Sequence, residues 1–275
     1  MSDILRAFDA EQEAAVLQEL ITLTRMLSTA GIAKLEEDHW STIYCKVKGI
    51  PKPGWSNLLF HDINHAGLGI ESKLLRRRNP FDDVGNSLMH PAATRRIEFD
   101  PSRPAEECKD EILTQWGTHI REFEERVRQT SSNGAADIRW GVLLWGTDLR
   151  RFLYFEERIV VPNPAEYVAD WSTGTHRGEA RKNLHIFEKT SGRKRFSVTL
   201  PTKGAKLQPY FDVPSAEQGA HLFSVPDDDL VPIWVPRGLH HKIMDAVERY
   251  YGSEKLAHPP DFLLEEEASD LDEGL

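Results

Sequence analysis

Apolar residues recur at helical spacing in three segments of the chain. From residue 9 to about residue 27 they fall every three or four positions, and Gly31 is a suitable stop for a helix. Residues 104–128 begin with a proline and early acidic residues and then keep the same spacing. Residues 238–251 repeat the pattern. We therefore predict three helices, each with one buried stripe.

Shorter apolar runs between turn residues predict β-strands. These runs lie at residues 58–60, from residue 70 onward, and at 95–99, 140–145, 151–161, 183–189 and 195–200. Residues 40–50 read as a strand or as irregular chain, and Pro51 and Pro53 break that segment. The first two runs flank a turn-rich stretch, residues 64–69, which contains Gly67 and Gly69. We predict that they form a β-hairpin.

The composition fits one large domain without a membrane span. The chain has 275 residues, of which 40% are apolar and 28% are charged, so a sizeable core is available. No run approaches the ~20 apolar residues that cross a bilayer, and the first residues lack the layout of a signal peptide. Cys45 and Cys108 form no CxxC pair, which disfavours a disulfide scaffold or a zinc cluster. We expect a cytoplasmic protein that does not contact a membrane.

The charge is unevenly distributed along the chain. The formal net charge of −10 argues against a surface that binds nucleic acid everywhere. Residues 259–275 form an acidic segment that we predict to be a disordered tail. Residues 175–206, in contrast, carry nine Lys or Arg and two Glu. A local basic patch of this kind can steer a polyanion although the whole protein is acidic.

Three charged side chains cluster around the predicted hairpin. Glu71 and Lys73 are one residue apart, so they share one face of a strand, and Ser72 faces the other way. Asp62 ends the preceding strand, and a hairpin loop of about five to eight residues would bring it close to Glu71. Both carboxylates and the Ser72 carbonyl could then converge on one Mg²⁺, which prefers oxygen ligands. Lys73 would lie beside this ion, where it can hold the attacking water and offset the charge of a phosphorane.

The pattern D-x8-E-x-K on a hairpin resembles the PD-(D/E)xK, or restriction-endonuclease-like, nuclease superfamily. The order of elements from residue 17 to residue 161 is similar to that family as well. The resemblance implies that Asp62 and Glu71 bind the metal and that Lys73 serves the nucleophilic water. One departure is that His61, rather than proline, precedes Asp62. The family tolerates this change, because it is the acid that binds the metal.

The resemblance also implies a fold and a function. The expected fold is α/β (α+β), with a central mixed sheet flanked by helices as a nuclease core over residues 1–161. Residues 162–258 lie outside the resemblance, and we expect them to form a β-rich elaboration that contacts DNA or forms a dimer. The expected activity is Mg²⁺-dependent hydrolysis of double-stranded DNA, as in a type II restriction enzyme. Because a duplex has two strands to cut, we expect a homodimer.

Other basic residues are candidates for DNA contact, and they are located next to the motif or in the basic segment. They are Arg76, Arg77 and Arg78, directly after the motif, and Arg193, Lys194 and Arg195, at a predicted hairpin tip. Each run also has a simpler interpretation as solvated surface. Glu36 and Glu37 could supply a further acid, although a solvated helix-end charge is the favoured interpretation.

Several alternatives remain open from the sequence. The E-x-K triplet could be a solvated ion pair in a non-catalytic DNA-binding or interaction protein. A repair nuclease or an antiphage effector nuclease would carry the same motif. His61 and His65 flank Asp62 and could indicate a zinc hydrolase, but no third ligand is close in the sequence. Gln115 is a weak match to a glutamine that some exonucleases of the family place after the motif. The chain has no P-loop, GxGxxG, GxSxG or HExxH motif.

Overall fold

A computed structural model of the chain describes residues 4–29, 32, 34–51, 62–89, 96–176, 179–200 and 205–226. Three α-helices lie in these ranges: α1 (Ala10–Thr29), α2 (Glu37–Lys48) and α3 (Ala105–Arg128). The same ranges contain twelve β-strands: β1 (Ile4–Leu5), β2 (Ile63–His65), β3 (Leu68–Arg77), β4 (Ser87–Met89), β5 (Arg96–Ile97), β6 (Asp137–Gly146), β7 (Arg151–Arg158), β8 (Tyr167–His176), β9 (Glu179–Glu188), β10 (Lys194–Thr199), β11 (Ala205–Asp212) and β12 (His221–Ser224). The predicted strand at 58–60, His61, the predicted helix at 238–251 and the acidic tail lie outside the described residues.

The two long helices with a clear apolar stripe are confirmed. α1 buries Val16 and Leu20 completely, and α3 buries Ile112 and Val127 in the same way. Pro104 is the N-cap of α3, as its position before the acidic first turn predicts. Within the described ranges, none of the helices combines the length and the apolar character that crossing a membrane requires.

The prediction for residues 40–50 is wrong, because this segment forms helix α2. Its run of β-branched and aromatic residues favoured a strand, but capping and packing favour the helix. The Nδ1 atom of His39 accepts a hydrogen bond from the Glu36 N–H at 3.2 Å at the N-terminus. Gly49 adopts the left-handed conformation (φ 65°) that ends many helices. Trp40, Ile43 and Tyr44 are buried on one side of α2, so tertiary packing outweighs local propensity.

A hairpin is present here, but its first strand is β2, at the start of the stretch predicted to be the turn, and the predicted first strand at 58–60 lies outside the described residues. β2 and β3 are antiparallel and pair Ile63 with Ile70 and His65 with Leu68. The connecting turn therefore contains two residues, Ala66 and Gly67, rather than the longer stretch 64–69. Both have positive φ angles, 49° and 87°, which a two-residue hairpin turn of this kind requires.

The first sheet is mixed and has six strands in the described part of the chain. Its order is β1-β7-β6-β3-β2, and β12 also pairs with β7. β3 and β6 are parallel, and α3 lies between them in the chain. The other pairings are antiparallel. The motif strand β3 therefore lies between its hairpin partner and a parallel strand.

The two faces of this sheet pack against different layers. One hydrophobic cluster joins the sheet to α1 and α2, and Ile70 belongs to it. The other cluster joins the sheet to α3 and to a second sheet, and Leu75 belongs to it. Because side chains alternate along β3, Glu71 and Lys73 face the same layer as Leu75. This arrangement agrees with the predicted alternation of faces.

The second sheet is antiparallel and has the order β4-β11-β10-β9-β8, with β5 also paired to β11. The two sheets exchange strands across residue 161. β4 and β5 precede this residue and join the second sheet, whereas β12 follows it and joins the first sheet. The predicted core and the predicted C-terminal elaboration are thus interleaved in the described structure.

Candidate active site

The hairpin places Asp62 opposite Glu71. Asp62 directly precedes Ile63, which pairs with Ile70, so the same antiparallel register continued by one residue matches Asp62 with Glu71. Directly opposite residues of an antiparallel pair project to the same face. The Oδ2 atom of Asp62 accepts a hydrogen bond from the backbone N–H of Ser72 at 2.5 Å. This bond fixes the Asp62 carboxylate against the motif strand.

Lys73 and Glu71 form an ion pair that is largely removed from solvent. The Nζ atom of Lys73 lies 2.6 Å from Oε1 of Glu71, and the two side chains are 9% and 13% exposed. Lys73 Nζ also lies 5.7 Å from the ring centroid of Trp140 on the neighbouring strand β6. An E-x-K triplet on an exposed strand would be a solvated pair, and this one is enclosed between the sheet and the α3 layer.

The two carboxylates of the site are electrostatically coupled. Burial, and after it the negative charge of Glu71, raise the pKa of Asp62 to about 7. The Ser72 N–H and the Lys73 ammonium act in the opposite direction, but they do not cancel these effects. Among the described residues, Lys73 is the cation that acts on these two half-buried acids, and a hard divalent ion would fit this donor set.

Glu37 belongs to the same electrostatic group. It lies in the first turn of α2, and its pKa is raised mainly by burial. The charge of Lys73 lowers the Glu37 pKa and the charge of Glu71 raises it. Glu36, in contrast, forms an exposed ion pair with Lys34 at 2.9 Å. Both acids are exposed by surface area, as the interpretation of solvated helix-end charges predicts, but Glu37 is also coupled to the charges of the candidate site.

A ready-made cluster of metal-binding side chains is not present in the ranges that the structure describes. No group of three or more His, Cys, Asp or Glu side chains there is arranged to hold an ion. The predicted site differs from such a cluster, because it combines two carboxylates with one carbonyl. His65 joins no such group, and His61 lies outside the described residues. Mg²⁺ binding at Asp62, Glu71 and the Ser72 carbonyl stays a prediction.

Gln115, a weak match to the glutamine of some exonucleases, connects two parts of the backbone in the structure. Its side-chain nitrogen donates to the Glu98 carbonyl at 2.5 Å, and its oxygen accepts from the Glu98 N–H at 3.1 Å. The amide thereby connects α3 to the chain that follows β5. This structural role accounts for both polar atoms of the side chain.

The arginines after the motif have two kinds of environment. Arg76 and Arg78 are exposed at the end of β3 and directly after it. Arg77 forms two hydrogen bonds with Asp83, at 2.6 and 2.7 Å. A bidentate pair of this type holds the guanidinium in place. Arg76 and Arg78 are thus more accessible than Arg77, although Arg76 projects to the face of β3 opposite Glu71 and Lys73, where its guanidinium lies 5.3 Å from the ring centroid of Trp145.

The basic residues of the predicted hairpin tip are partly engaged within the protein. Arg193 and Arg195 both contact Oδ2 of Asp212, at 2.8 and 2.9 Å. The Arg193 side chain is 56% exposed, whereas that of Arg195 is 13% exposed. Lys194 Nζ lies 5.4 Å from the ring centroid of Tyr210. Of the two arginines, Arg193 is the more accessible. DNA contact by these three residues stays a prediction.

One acid next to the site was not identified from the sequence. The strand register matches Glu71 on β3 with Trp140 on β6, and Trp140 with Glu157 on β7. These three side chains form one row on the α3 side of the sheet. In the sequence, Glu157 continues the alternate positions of Leu153 and Phe155, which face inward, and an acid at such a position could have indicated a site.

Comparison of the chain with protein-family models, with curated proteins and with solved structures finds no match. The geometry of the residues described above is therefore the basis for assigning a function.

Proposed function

We propose that the protein is a Mg²⁺-dependent DNA endonuclease with a PD-(D/E)xK type of active site, similar to that of type II restriction enzymes. The observation that carries this proposal is the arrangement of three side chains on one hairpin. Asp62 lies opposite Glu71, and Lys73 follows on the same face of β3. The motif strand is then followed by a helix and by a parallel strand, β6. This order supports a restriction-endonuclease-like core.

Each residue has a defined role in this proposal. Asp62, Glu71 and the Ser72 carbonyl would hold Mg²⁺. When bound, this ion supplies Lewis-acid polarisation of the phosphate and lowers the pKa of a coordinated water. Lys73 orients the attacking water and offsets the negative charge that develops on the phosphorane. Its ammonium lies in a largely buried site, where electrostatic interactions are stronger than in bulk water.

The substrate and the assembly follow from the surroundings of the site. Arg78 is exposed directly after the motif strand and is suited to contact a phosphate beside the scissile one, whereas Arg76 is exposed on the opposite face of β3. A duplex contains two strands, so two copies of the site in a homodimer would cut both. A repair nuclease or an antiphage effector nuclease would use the same residues, and it would differ in its choice of DNA.

A non-catalytic DNA-binding or interaction protein is the second candidate. The closed ion pair between Lys73 and Glu71 favours it, because a buried pair can serve the fold alone. The paired Arg77 and Arg195 are consistent with the same interpretation. Metal-dependent cleavage separates the two candidates, since only the nuclease requires it.

Cleavage of supercoiled plasmid and phage DNA in Mg²⁺ or in EDTA tests the proposal. We expect cutting only with the metal, and a loss of about 10²–10⁴ in rate for Lys73→Ala with DNA binding retained. Asp62→Asn and Glu71→Gln should also abolish the increase in melting temperature that Mg²⁺ produces. Lys46→Ala is the matched control, because Lys46 forms an exposed pair with Glu19 at the same 2.6 Å distance. Full activity of the Lys73 and Glu71 variants would exclude the proposed site.

A further inference from the structure

A small pocket lies between the two sheets, beside the candidate active site. Its volume is about 180 Å³, which corresponds to roughly six water molecules at the density of the liquid. The pocket is lined by residues of α3, of β6 and β7 in the first sheet, of β8, β9, β10 and β11 in the second sheet, and by Ile159 and Val160 after β7. It is large enough for one planar ring system and too small for an extended ligand.

Six of the thirteen residues that line the pocket are aromatic. Trp116 and Trp140 are stacked, with an interplanar angle of 13° and ring centroids 6.2 Å apart. Tyr167 and Phe196 line another part of the pocket, with centroids 5.9 Å apart. Aromatic walls of this type favour a flat, unsaturated ligand that can stack.

Glu157 gives the pocket a carboxylate oxygen that lacks a hydrogen-bond donor among the described residues. Its Oε2 atom is buried and has no hydrogen-bond partner among the described residues. Burial raises the pKa of Glu157 to about 7, and the charge of Arg195 only partly opposes this. Arg195 is itself bound to Asp212 at 2.9 Å and to Glu188 at 3.4 Å. A ligand that donates an N–H to Glu157 would satisfy this oxygen.

The pocket is also close to the proposed chemistry. Glu157 and Glu71 flank Trp140 in adjacent positions of the sheet. Because neighbouring strands are about 4.8 Å apart, the two backbones are separated by about 10 Å. Lys73 Nζ lies 5.7 Å from the ring centroid of Trp140, and the same side chain lines the pocket. A strand held at the motif can place a nearby nucleotide in the pocket.

From these observations we propose that the pocket binds a single nucleobase that carries an exocyclic amino group, namely adenine, cytosine or guanine. The base stacks against the aromatic walls, and its amino group donates to the Glu157 carboxylate. In uracil and thymine the N3–H lies between two carbonyl oxygens, which would repel that carboxylate. The source of the base, an unpaired or extruded nucleotide of bound DNA, rests on the proposed nuclease function.

Titration of the full-length protein with free nucleosides tests the pocket independently of cleavage. At about pH 8, where Glu157 is largely ionised, we expect adenosine, cytidine or guanosine to bind at least about tenfold more tightly than uridine, because one charge-assisted hydrogen bond distinguishes them. Tryptophan fluorescence and calorimetry measure the affinities. In Glu157→Gln the preference should disappear, since the amide can donate to a uracil carbonyl as well as accept. Glu217→Gln, on a short helical turn outside the pocket, is the matched control.

Each outcome bears on one of the two proposals. Equal binding of all four nucleosides, binding of none, or an unchanged preference in a folded Glu157→Gln variant would overturn the pocket assignment. DNA cleavage together with any of these results would leave the nuclease proposal intact. Selective nucleoside binding without metal-dependent cleavage would support the pocket and exclude the nuclease. Competition by oligonucleotides of adenine or cytosine, but not of thymine, would show that the pocket accepts a base from a strand.

Discussion

Replacing Lys73 with methionine should destabilise the protein strongly, because it leaves Glu71 without its cation. The two side chains are 9% and 13% exposed, and their charged atoms are 2.6 Å apart. With an effective dielectric constant of about 20, this distance corresponds to about 6 kcal/mol of gross Coulomb attraction. Desolvation of both groups offsets much of that value in the intact pair. Removing one partner from a buried pair typically costs about 3–5 kcal/mol.

The double variant Glu71→Gln/Lys73→Met separates the ion pair from the packing of the two side chains. Since neither charge is left buried, we expect it to recover most of the stability that Lys73→Met loses. Lys46→Met is the control, because that lysine lies at the same 2.6 Å from Glu19 but has a side chain 65% exposed. Its expected cost is below about 1 kcal/mol. Urea unfolding monitored by circular dichroism gives the free energy of unfolding of all four proteins.

The comparison between the two lysines decides the interpretation. If Lys73→Met cost no more than Lys46→Met, the pair at the motif would be screened by solvent. The electrostatic description of the site would then be wrong, and the E-x-K triplet would be an ordinary surface feature. A large cost in both Lys73→Met and the double variant would instead indicate packing rather than charge.

Three further predictions concern acids and a histidine outside the Lys73 pair. Glu157→Gln should raise the free energy of unfolding by about 3 kcal/mol at pH 8 and by little at pH 5, as urea unfolding at both pH values would measure. The folded-state pKa of Glu157, about 7, exceeds the ordinary 4.5, so the stability of the unmodified protein falls as the pH rises between these two values. His221 has a lowered pKa, because burial disfavours its charged form, so stability should fall on acidification below about pH 6.5. His221→Gln should flatten that loss in the same assay, and an unchanged acid profile would contradict the assignment. Glu37→Gln should lower the rate of Mg²⁺-dependent cleavage more than Glu36→Gln does. Equal rates in the two variants would show that Glu37 has no role in the site.

Local patterns were sufficient for some elements and misleading for others. The apolar stripes of α1 and α3 repeat over many turns, so each helix is specified by its own sequence. α2 has only 12 residues, and its helical state depends on capping and on burial against other elements. β12 could not be identified, because its pairing with β7 joins residues about seventy positions apart. Such contacts depend on the completed fold and leave no periodic signal.

The candidate site shows the same division between local and long-range information. Asp62, Glu71 and Lys73 are recognisable because one hairpin brings them together. Glu37 arrives from a helix and Glu157 from a strand on the far side of β6, so their proximity requires the tertiary structure. Their chemical types were visible in the sequence, but their shared location was not.

Two adjacent glutamates on β7 illustrate why the pocket is more than a packing defect. Glu156 points to the α2 side and is completely buried, and it accepts hydrogen bonds from Arg139 at 2.7 Å and from Tyr154 at 2.9 Å. Glu157 points to the opposite side, where a buried oxygen has no partner among the described residues. The same strand therefore satisfies one buried acid fully and leaves the next available to a donor. A fold that needed Glu157 only for stability would gain from an apolar residue there, so a ligand with an N–H group is the more economical explanation.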